Sequence, residues 1–171
     1  MAPPLVLRKA TVEDVPQILR YITDLAIFED AEHEVEATVE SLTRTLGFFG
    51  EKAYAHVIMA EYDSSPAGMA LYFNNYSTWK GVPGIYLEDL YVKPEFRSKG
   101  IGRALIAYLA RETKRIGGAR LEWSVLDWNE KAIRVYEGVG AKKQDGWSVM
   151  RVAGEALTKL SHSALDAVQK N

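Results

Sequence analysis

The sequence has no cysteine among its 171 residues, so disulfide bonds, a cysteine nucleophile and thiolate metal sites are excluded. Its three histidines, His33, His56 and His162, lie far apart, and we therefore expect no metal site. No apolar run approaches the roughly 18 residues that cross a bilayer, and the first residues lack the basic and apolar regions of a secretory signal. These absences predict a chain without a membrane partner and are compatible with a reducing cytosol.

A strong excess of one charge is also missing. The formal net charge is -2 and the isoelectric point is near 6.0, which argues against general nucleic-acid binding because phosphate neutralisation needs a basic surface. The basic residues near 97 to 103 are local, and they suit one compact polyanion better than a polymer. With 47% hydrophobic and 26% charged residues, the chain fits a single globular domain over residues 1 to 171.

The stretch from residue 84 to residue 92, GIYLEDLYV, is apolar on both alternating faces, which is typical of a central strand covered on both sides. Two adjacent acids, Glu88 and Asp89, interrupt this strand. A carboxylate removed from water costs several kcal/mol unless it is paired or hydrogen-bonded. These acids therefore need partners or a chemical role, unless the strand ends there and both reach solvent. The apolar residues that follow them favour the functional role.

Two glycines stand where the next helix is predicted to begin. From Arg97 to Gly102 the sequence reads R-x-x-G-x-G, and a run with helical apolar spacing follows. A helix N-terminus offers unpaired N–H groups and about half a positive charge, and residues without side chains let phosphate oxygens approach closely. The alternative is an ordinary basic loop whose glycines serve turn geometry. The adjacent strand with its acids favours the phosphate site.

Predicted strands and helices alternate along the chain. The strands are predicted at residues 5 to 8, 54 to 62, 67 to 76, 84 to 92 and 121 to 125, with a hairpin around residues 63 to 68. The helices are predicted at residues 11 to 29, 38 to 46, 100 to 116 and 129 to 138, followed by a hairpin around residues 144 to 146 and a helical tail from residue 154. This order predicts an α/β fold with a central mixed sheet.

The run from Glu88 to Val92, followed by the run from Arg97 to Gly102, resembles the acetyl-CoA motif of the GCN5-related N-acetyltransferases, the GNAT superfamily. The resemblance covers residues 5 to 160. Its other matching positions are Ser77-Thr78-Trp79-Lys80-Gly81, Val125-Leu126-Asp127-Trp128-Asn129, Tyr136, Gly140-Ala141, Gly146-Trp147 and Gly154-Glu155-Ala156. Within the superfamily the chain is most similar to the spermidine/spermine acetyltransferase-like group and its thialysine N-epsilon-acetyltransferase branch. The resemblance implies a mixed, mostly antiparallel β-sheet flanked by helices, whose central strands splay apart to admit the pantetheine arm.

The resemblance also implies catalytic roles for two residues. Acetyl transfer from a thioester to an amine needs a neutral amine, a stabilised oxyanion and a proton for the departing thiolate. Glu88 matches the general base, acting through water. Tyr136 matches the general acid, and its alternative is a tyrosine that merely packs on its helix. We expect direct transfer to the amine, with a serine acyl intermediate as the alternative.

Three parts of the chain are implied to bind acetyl-CoA, the expected cofactor. The strand would offer the backbone groups of Leu90, Tyr91 and Val92, and one of these groups would polarise the thioester oxygen. The loop and helix start would hold the pyrophosphate through Arg97, Ser98, Lys99, Gly100, Ile101, Gly102 and Arg103. The next helix start would contribute Asn129, Glu130, Lys131 and Ala132, although Asn129 also suits a plain N-cap.

A small-molecule amine is the implied acceptor. The positions matched to it are Phe28, Glu29, Ser77, Thr78, Trp79, Glu88, Asp89, Glu122, Trp123 and Ser124. Tryptophans in such a set can face a cation or simply fill a core. Because the polyamine-specific branch has an aspartate where Ser77 stands, we expect a shorter, lysine-like amine such as thialysine.

Other functions stay open at this point. Polyamine N1-acetylation is the alternative enzyme activity, and a non-catalytic acyl-CoA-binding module is the alternative class. A dinucleotide-binding enzyme is disfavoured because the G-x-G-x-x-G spacing is absent. By resemblance alone, we also expect a cytoplasmic homodimer.

Overall fold

The computed structural model describes residues 4 to 168, with side chains up to residue 162. Its strands are β1 Leu5–Lys9, β2 His56–Tyr62, β3 Ser65–Ser77, β4 Val82–Val92 and β5 Leu121–Trp123. Its α-helices are α1 Val15–Phe28, α2 Val39–Thr45, α3 Ile101–Arg115, α4 Glu130–Glu137 and α5 Gly154–Val168. The chain divides into two compact units, Met1–Val139 and Gly140–Asn171. The sheet and the first four helices belong to the first unit, and α5 belongs to the second.

The five strands form one mixed sheet in the order β1-β2-β3-β4-β5. The first four strands pair antiparallel, and β5 alone runs parallel to β4. Strand β5 pairs only with residues 85 to 87 of β4, so within the described residues the rest of β4, from Glu88 to Val92, has no strand partner on that side. The structure confirms the mostly antiparallel mixed sheet and the separation of its central strands.

A β-bulge lies where β4 leaves β5. Leu87 is opposite Tyr72 and Asp89 is opposite Leu71 on β3, so Glu88 has no cross-strand partner in the register. An extra residue in one strand bends that strand and increases its twist. The sequence did not reveal this bulge, because an unpaired residue can be recognised only from the partner strand.

Hydrophobic residues fill both faces of the sheet. On one face α1 and α2 pack on β2, β3 and β4 through a cluster that includes Ile18, Tyr21, Met59, Met69 and Tyr91. On the other face α3 packs through Ile58, Tyr72, Leu87, Leu105 and Leu109, among others. A sheet covered on both faces explains why β4 is apolar at successive positions, as the sequence predicted.

The predicted start of the first helix is confirmed, and one predicted hairpin is wrong. The Asp14 carboxylate accepts a hydrogen bond from the Thr11 backbone N–H at 2.8 Å and pairs with Arg8 at 2.6 Å, so the chain turns into α1 there. Around residues 144 to 146 the chain forms a turn, but residues 141 to 153 contain no strand. Turn residues act locally, whereas a strand also needs a hydrogen-bonded partner, which this segment lacks within the described residues.

Candidate active site

The buried acid of the central strand is Asp89. Its side chain is half-buried beside the bulge, and loss of hydration, followed by repulsion from Glu88 and Glu29, raises its pKa from 3.8 to about 6. Glu88 itself is exposed at the bulge. The sequence placed both acids in an apolar strand, and alternation alone does not show which of two adjacent acids faces the protein. Three carboxylates therefore act on one another at this point of the sheet.

Tyr136 is positioned by α4 and by β5. The helix starts at Asn129, whose side-chain oxygen accepts a hydrogen bond from the Ala132 N–H at 3.1 Å, so the predicted N-cap is confirmed. Seven residues later the Tyr136 ring lies 5.1 Å from the Trp123 ring. Burial, and then the charge of Glu29, raises the pKa of Tyr136. The phenol therefore stays protonated at neutral pH and can donate a proton or a hydrogen bond.

An aromatic pair lies at the end of α1. The Phe28 ring is 5.5 Å from the Trp128 ring, and Glu29 follows directly. Although Glu29 is exposed, loss of hydration raises its pKa. Trp128 is 58% exposed, whereas a tryptophan taken alone usually fills a core. The resemblance included Trp128 among its matching positions but did not assign it a ligand.

The glycine loop has the backbone geometry of an anion cradle. Ser98 and Gly100 both have left-handed backbone conformations, with φ of 63° and 80°, and α3 begins directly afterwards. The first intrahelical hydrogen bond there is donated by Ala104 to the Gly100 carbonyl, so the N–H groups before Ala104 are free to bind an anion. Arg97 Nε donates to the Val92 carbonyl at 3.0 Å, which ties this loop to the end of β4.

The two glycines fit a phosphate ligand better than they fit packing within the protein. A Cβ added at Gly100 would meet no protein atom within 4 Å, and one added at Gly102 would meet only Val92, at 3.9 Å. Gly100 is explained by its positive φ. Gly102 lies in a helix, where alanine would be more stable, so neither conformation nor packing in the protein requires glycine. Close approach of a ligand to the backbone would explain it.

The charged groups of Lys99 and Glu130, two of the predicted cofactor residues, have partners within the protein. The Lys99 ammonium lies 4.8 Å from the Tyr62 ring centre and 5.2 Å from that of Phe96, which holds the charge beside the loop. The Glu130 carboxylate pairs with Arg134 at 3.2 Å on the exposed face of α4. Arg103 and Lys131 are exposed. Positive charge therefore remains around the cradle, and the negative charge of Glu130 is offset by Arg134.

Some predicted acceptor residues lie far from Glu88 along β4. Ser77, 4% exposed, ends β3, and Thr78 and the 88% exposed Trp79 follow in the turn to β4, about 20 Å along β4 from Glu88 at ~3.3 Å per residue. Glu122 is opposite Tyr86 on β4, and its carboxylate accepts a hydrogen bond from Asn75 at 2.6 Å and pairs with Arg120 at 2.7 Å. The hydroxyls of Ser124 and Tyr86 lie 2.6 Å apart beside the site.

A metal site and a membrane-spanning helix are both absent from the described part of the chain. No group of His, Asp or Glu side chains there could hold a metal ion. No helix among the described residues is long and apolar enough to span a membrane.

The fold and the site together define the class of protein. The model of the acetyltransferase (GNAT) family matches residues 19–141, a range that includes the splayed strand, the glycine loop and Tyr136. This chain belongs to the GNAT family. It is an N-acetyltransferase, and its acetyl donor is acetyl-CoA.

The chain is similar to individual proteins over nearly its whole length. The thialysine N-epsilon-acetyltransferase of Bos taurus is 39% identical over 168 residues, covering 92% of this chain and 97% of the relative. Among solved structures, an integron cassette protein from the mobile metagenome of V. cholerae has a TM-score of 0.76 at 24% identity, covering 93% of this chain and 98% of that one. An aminoglycoside N-acetyltransferase in complex with CoA has a TM-score of 0.71 at 15% identity, covering 90% and 98%. At these identities the two structures show the fold alone.

Proposed function

We propose that this enzyme transfers the acetyl group directly to the primary amine of a small, lysine-like substrate such as thialysine. The observation that supports this most is the set of three carboxylates, Glu29, Glu88 and Asp89, whose charges meet beside Tyr136 and the free edge of β4. A cluster of negative charge attracts an ammonium group. The similarity to the thialysine N-epsilon-acetyltransferase of Bos taurus supports the same class of substrate.

The free edge of β4 and the glycine loop suit the two parts of acetyl-CoA. Acetyl-CoA supplies a thioester whose carbonyl carbon an amine can attack. Among residues 4 to 168, no strand pairs with Leu90, Tyr91 and Val92 on the β5 side, and we assign their backbone groups to the pantetheine arm. One of their N–H groups would stabilise the negative charge that develops on the carbonyl oxygen. The N–H groups at the start of α3, from Ile101 onward, would bind the pyrophosphate.

Proton transfer falls to two side chains. A lysine-like amine has a pKa near 10.4, so only about one molecule in a thousand is neutral at pH 7. Glu88 is exposed at the bulge, where it can accept the ammonium proton through water. Tyr136 Oη holds a proton whose release is made harder by burial, and it can give that proton to a leaving sulfur.

Substrate size would be limited by the cluster itself. Phe28 and Trp128 form an aromatic wall next to Glu29, which suits the aliphatic stem and the charge of one short amine. Ser77 is an uncharged, buried residue at the end of β3, so the chain offers no acid at that position for the far end of a polyamine. We therefore place polyamines below lysine-like amino acids as substrates.

Acceptor choice is tested with a panel of amines and acetyl-CoA, measuring thiol release. We expect the highest kcat/KM with thialysine or ornithine and at least about tenfold lower values with spermidine, a difference of ~1.4 kcal/mol. A preference for spermidine would replace this substrate assignment with the polyamine one. Acetyl-CoA binding by calorimetry without thiol release from any amine would indicate the non-catalytic module instead.

We also infer that the enzyme is a cytoplasmic homodimer in which residues 1 to 171 act as one acetyltransferase domain. The second unit supports the dimer, because it exposes large apolar side chains in a short segment: Trp147, Val149, Met150 and Val152. Apolar groups of this size are usually covered by a partner surface. Analytical ultracentrifugation should give twice the 19.1 kDa chain mass, and a monomer at micromolar concentration would refute the dimer.

A further inference from the structure

A cavity of about 220 Å³ lies at the end of α3 that is remote from the glycine loop. It is enclosed by β1, β2 and β3, by the segment after α2 and by the last turn of α3, from which Glu112 and Arg115 line it. Glu112 is twelve residues beyond Gly100, which is about 18 Å along a helix. The cavity is therefore separate from the acetyl-CoA site, and neither Glu88 nor Tyr136 lines it.

The wall of the cavity includes the side chain of Tyr72. This residue is 4% exposed. Burial, and then the charge of Glu112, raises the pKa of Tyr72 to about 12, so the hydroxyl remains a donor at physiological pH. An acceptor atom of a ligand in the cavity could take a hydrogen bond from it.

The charged side chains around this hydroxyl favour an anion. Glu112 accepts two hydrogen bonds from Arg115, at 2.7 and 2.6 Å, so these two charges offset each other. Lys9 lines the same cavity and acts electrostatically on Glu112. Together, Lys9, Arg115 and Glu112 carry a net positive charge. His56 adds a ring nitrogen donor, with its ring 5.5 Å from the Tyr72 ring. The donors from three elements therefore converge on one space.

The remaining wall is apolar and suits a carbon skeleton. Leu46, Phe48 and Ile116 line the cavity beside the polar groups, and a site with a few convergent polar groups on an apolar wall is typical of small organic ligands. The volume corresponds to about seven water molecules at ~30 Å³ each. We propose that this cavity binds a small aliphatic carboxylate, whose acid group is held by Tyr72, Lys9 and Arg115 and whose chain packs on Phe48.

The proposal is tested on the full-length protein with butyrate as the probe, by two-dimensional amide NMR titration. We expect saturable shifts at the amides of residues that line the cavity, such as His56 and Asn74, and none in the loop from residue 97 to residue 103. Saturating acetyl-CoA should leave the butyrate Kd unchanged. The absence of saturable shifts, or shifts confined to the glycine loop, would overturn the site.

Two variants and two matched controls assign the binding groups. Lys9→Gln and Tyr72→Phe should each raise the butyrate Kd about tenfold, because each removes a hydrogen bond to a charged group. Arg111→Gln, an exposed position of α3 outside the cavity, and Tyr76→Phe, in the β3–β4 turn region, should change it less than twofold. Equal losses in controls and cavity variants would refute the assignment. Lys9 is exposed, so its variant is informative even if Tyr72→Phe fails to fold.

Inorganic phosphate separates an organic acid from a simple anion. Phosphate can use Lys9 and Arg115 but gains nothing from the wall formed by Leu46, Phe48 and Ile116. We expect it to bind at least about tenfold more weakly than butyrate, a difference of ~1.4 kcal/mol. Equal or tighter binding of phosphate would refute a carboxylate ligand.

Discussion

The two halves of β4 use the same backbone in different ways. From Val82 to Leu87 the strand pairs with β3 on one side, and at residues 85 to 87 it also pairs with β5 on the other. From Glu88 to Val92 the strand still pairs with β3, but within the described residues no strand pairs with its other side. Free N–H and C=O groups in a sheet interior need partners. The first half is therefore structural, and the second half leaves its hydrogen-bonding groups available to a ligand.

The bulge at Glu88 separates the two halves. Leu87 and Asp89 are opposite adjacent residues of β3. Glu88 is therefore an extra residue, and it bends β4 at the point where the pairing with β5 ends. Side chains before the bulge point into packed surroundings, as Leu87 does at 2% exposure. After the bulge, Tyr91 still packs in the core, whereas Asp89 lies near the carboxylates of Glu88 and Glu29. The two halves therefore differ in the pairing of their backbones more than in the packing of their side chains.

The largest effect should come from Tyr136→Phe beside the second half. Loss of a general acid typically costs 10²- to 10⁴-fold, and we expect kcat/KM to fall about 10³-fold, or ~4 kcal/mol. The Kd for acetyl-CoA should change less than twofold, since the ring and its packing on Trp123 remain. Steady-state kinetics and calorimetry measure the two quantities. Tyr76→Phe is the control, and unchanged turnover of Tyr136→Phe would exclude the acid role.

A glycine of the first half should show the opposite behaviour. A Cβ at Gly84 would collide with the Asn75 side-chain oxygen and would lie 3.0 Å from the Arg120 carbonyl oxygen. Overpacking of this kind costs ~1–3 kcal/mol, so Gly84→Ala should lower the free energy of unfolding by about 3 kcal/mol. Urea denaturation measures this. Activity per folded molecule should stay within twofold at saturating substrate, and a stable but inactive variant would contradict the division between the halves.

The sequence revealed more of the second half than of the first. Adjacent acids in an apolar strand, followed by R-x-x-G-x-G, predicted both the site and the start of α3, because each signal depends on residues close together in the chain. The bulge, the burial of Asp89 in place of Glu88 and the role of Trp128 could not be predicted. Each depends on a segment distant in sequence, namely β3 or the end of α1.

The same distinction applies to the acceptor residues. The resemblance grouped Ser77 and Glu122 with Glu88, but in the structure Ser77 lies at the far end of β3 and Glu122 pairs with Arg120. A match in sequence fixes the order of residues, whereas their distance depends on strand length and register. The hairpin predicted around residue 145 was wrong for the related reason that turn chemistry does not supply a partner strand.

The pH dependence of stability should distinguish Asp89 from ordinary acids. Its folded pKa is about 6 against 3.8 for an ordinary aspartate, so the folded state holds the proton more tightly and stability falls as pH rises from about 4 to about 6. Above pH 6 the buried charge costs up to ~3 kcal/mol. Asp89→Asn should therefore stabilise the protein by about 2 kcal/mol at pH 8 and by little at pH 4. Urea denaturation at both pH values, with Asp63→Asn in an exposed turn as control, measures it; equal gains at both pH values would refute the titration.

The smallest effect should come from Gly102→Ala, the same substitution as at Gly84 but next to the functional half. Its Cβ would meet only Val92, at 3.9 Å, and alanine is favoured over glycine in a helix, so the free energy of unfolding should rise by about 0.5–1 kcal/mol. The Kd for acetyl-CoA should nevertheless increase severalfold, because the methyl group occupies the space through which phosphate oxygens approach the backbone. Thermal denaturation and calorimetry together measure the opposite signs. If Gly102→Ala left the affinity for acetyl-CoA unchanged, the ligand would not be the reason for glycine at this position. The difference between Gly102 and Gly84 would then not reflect function.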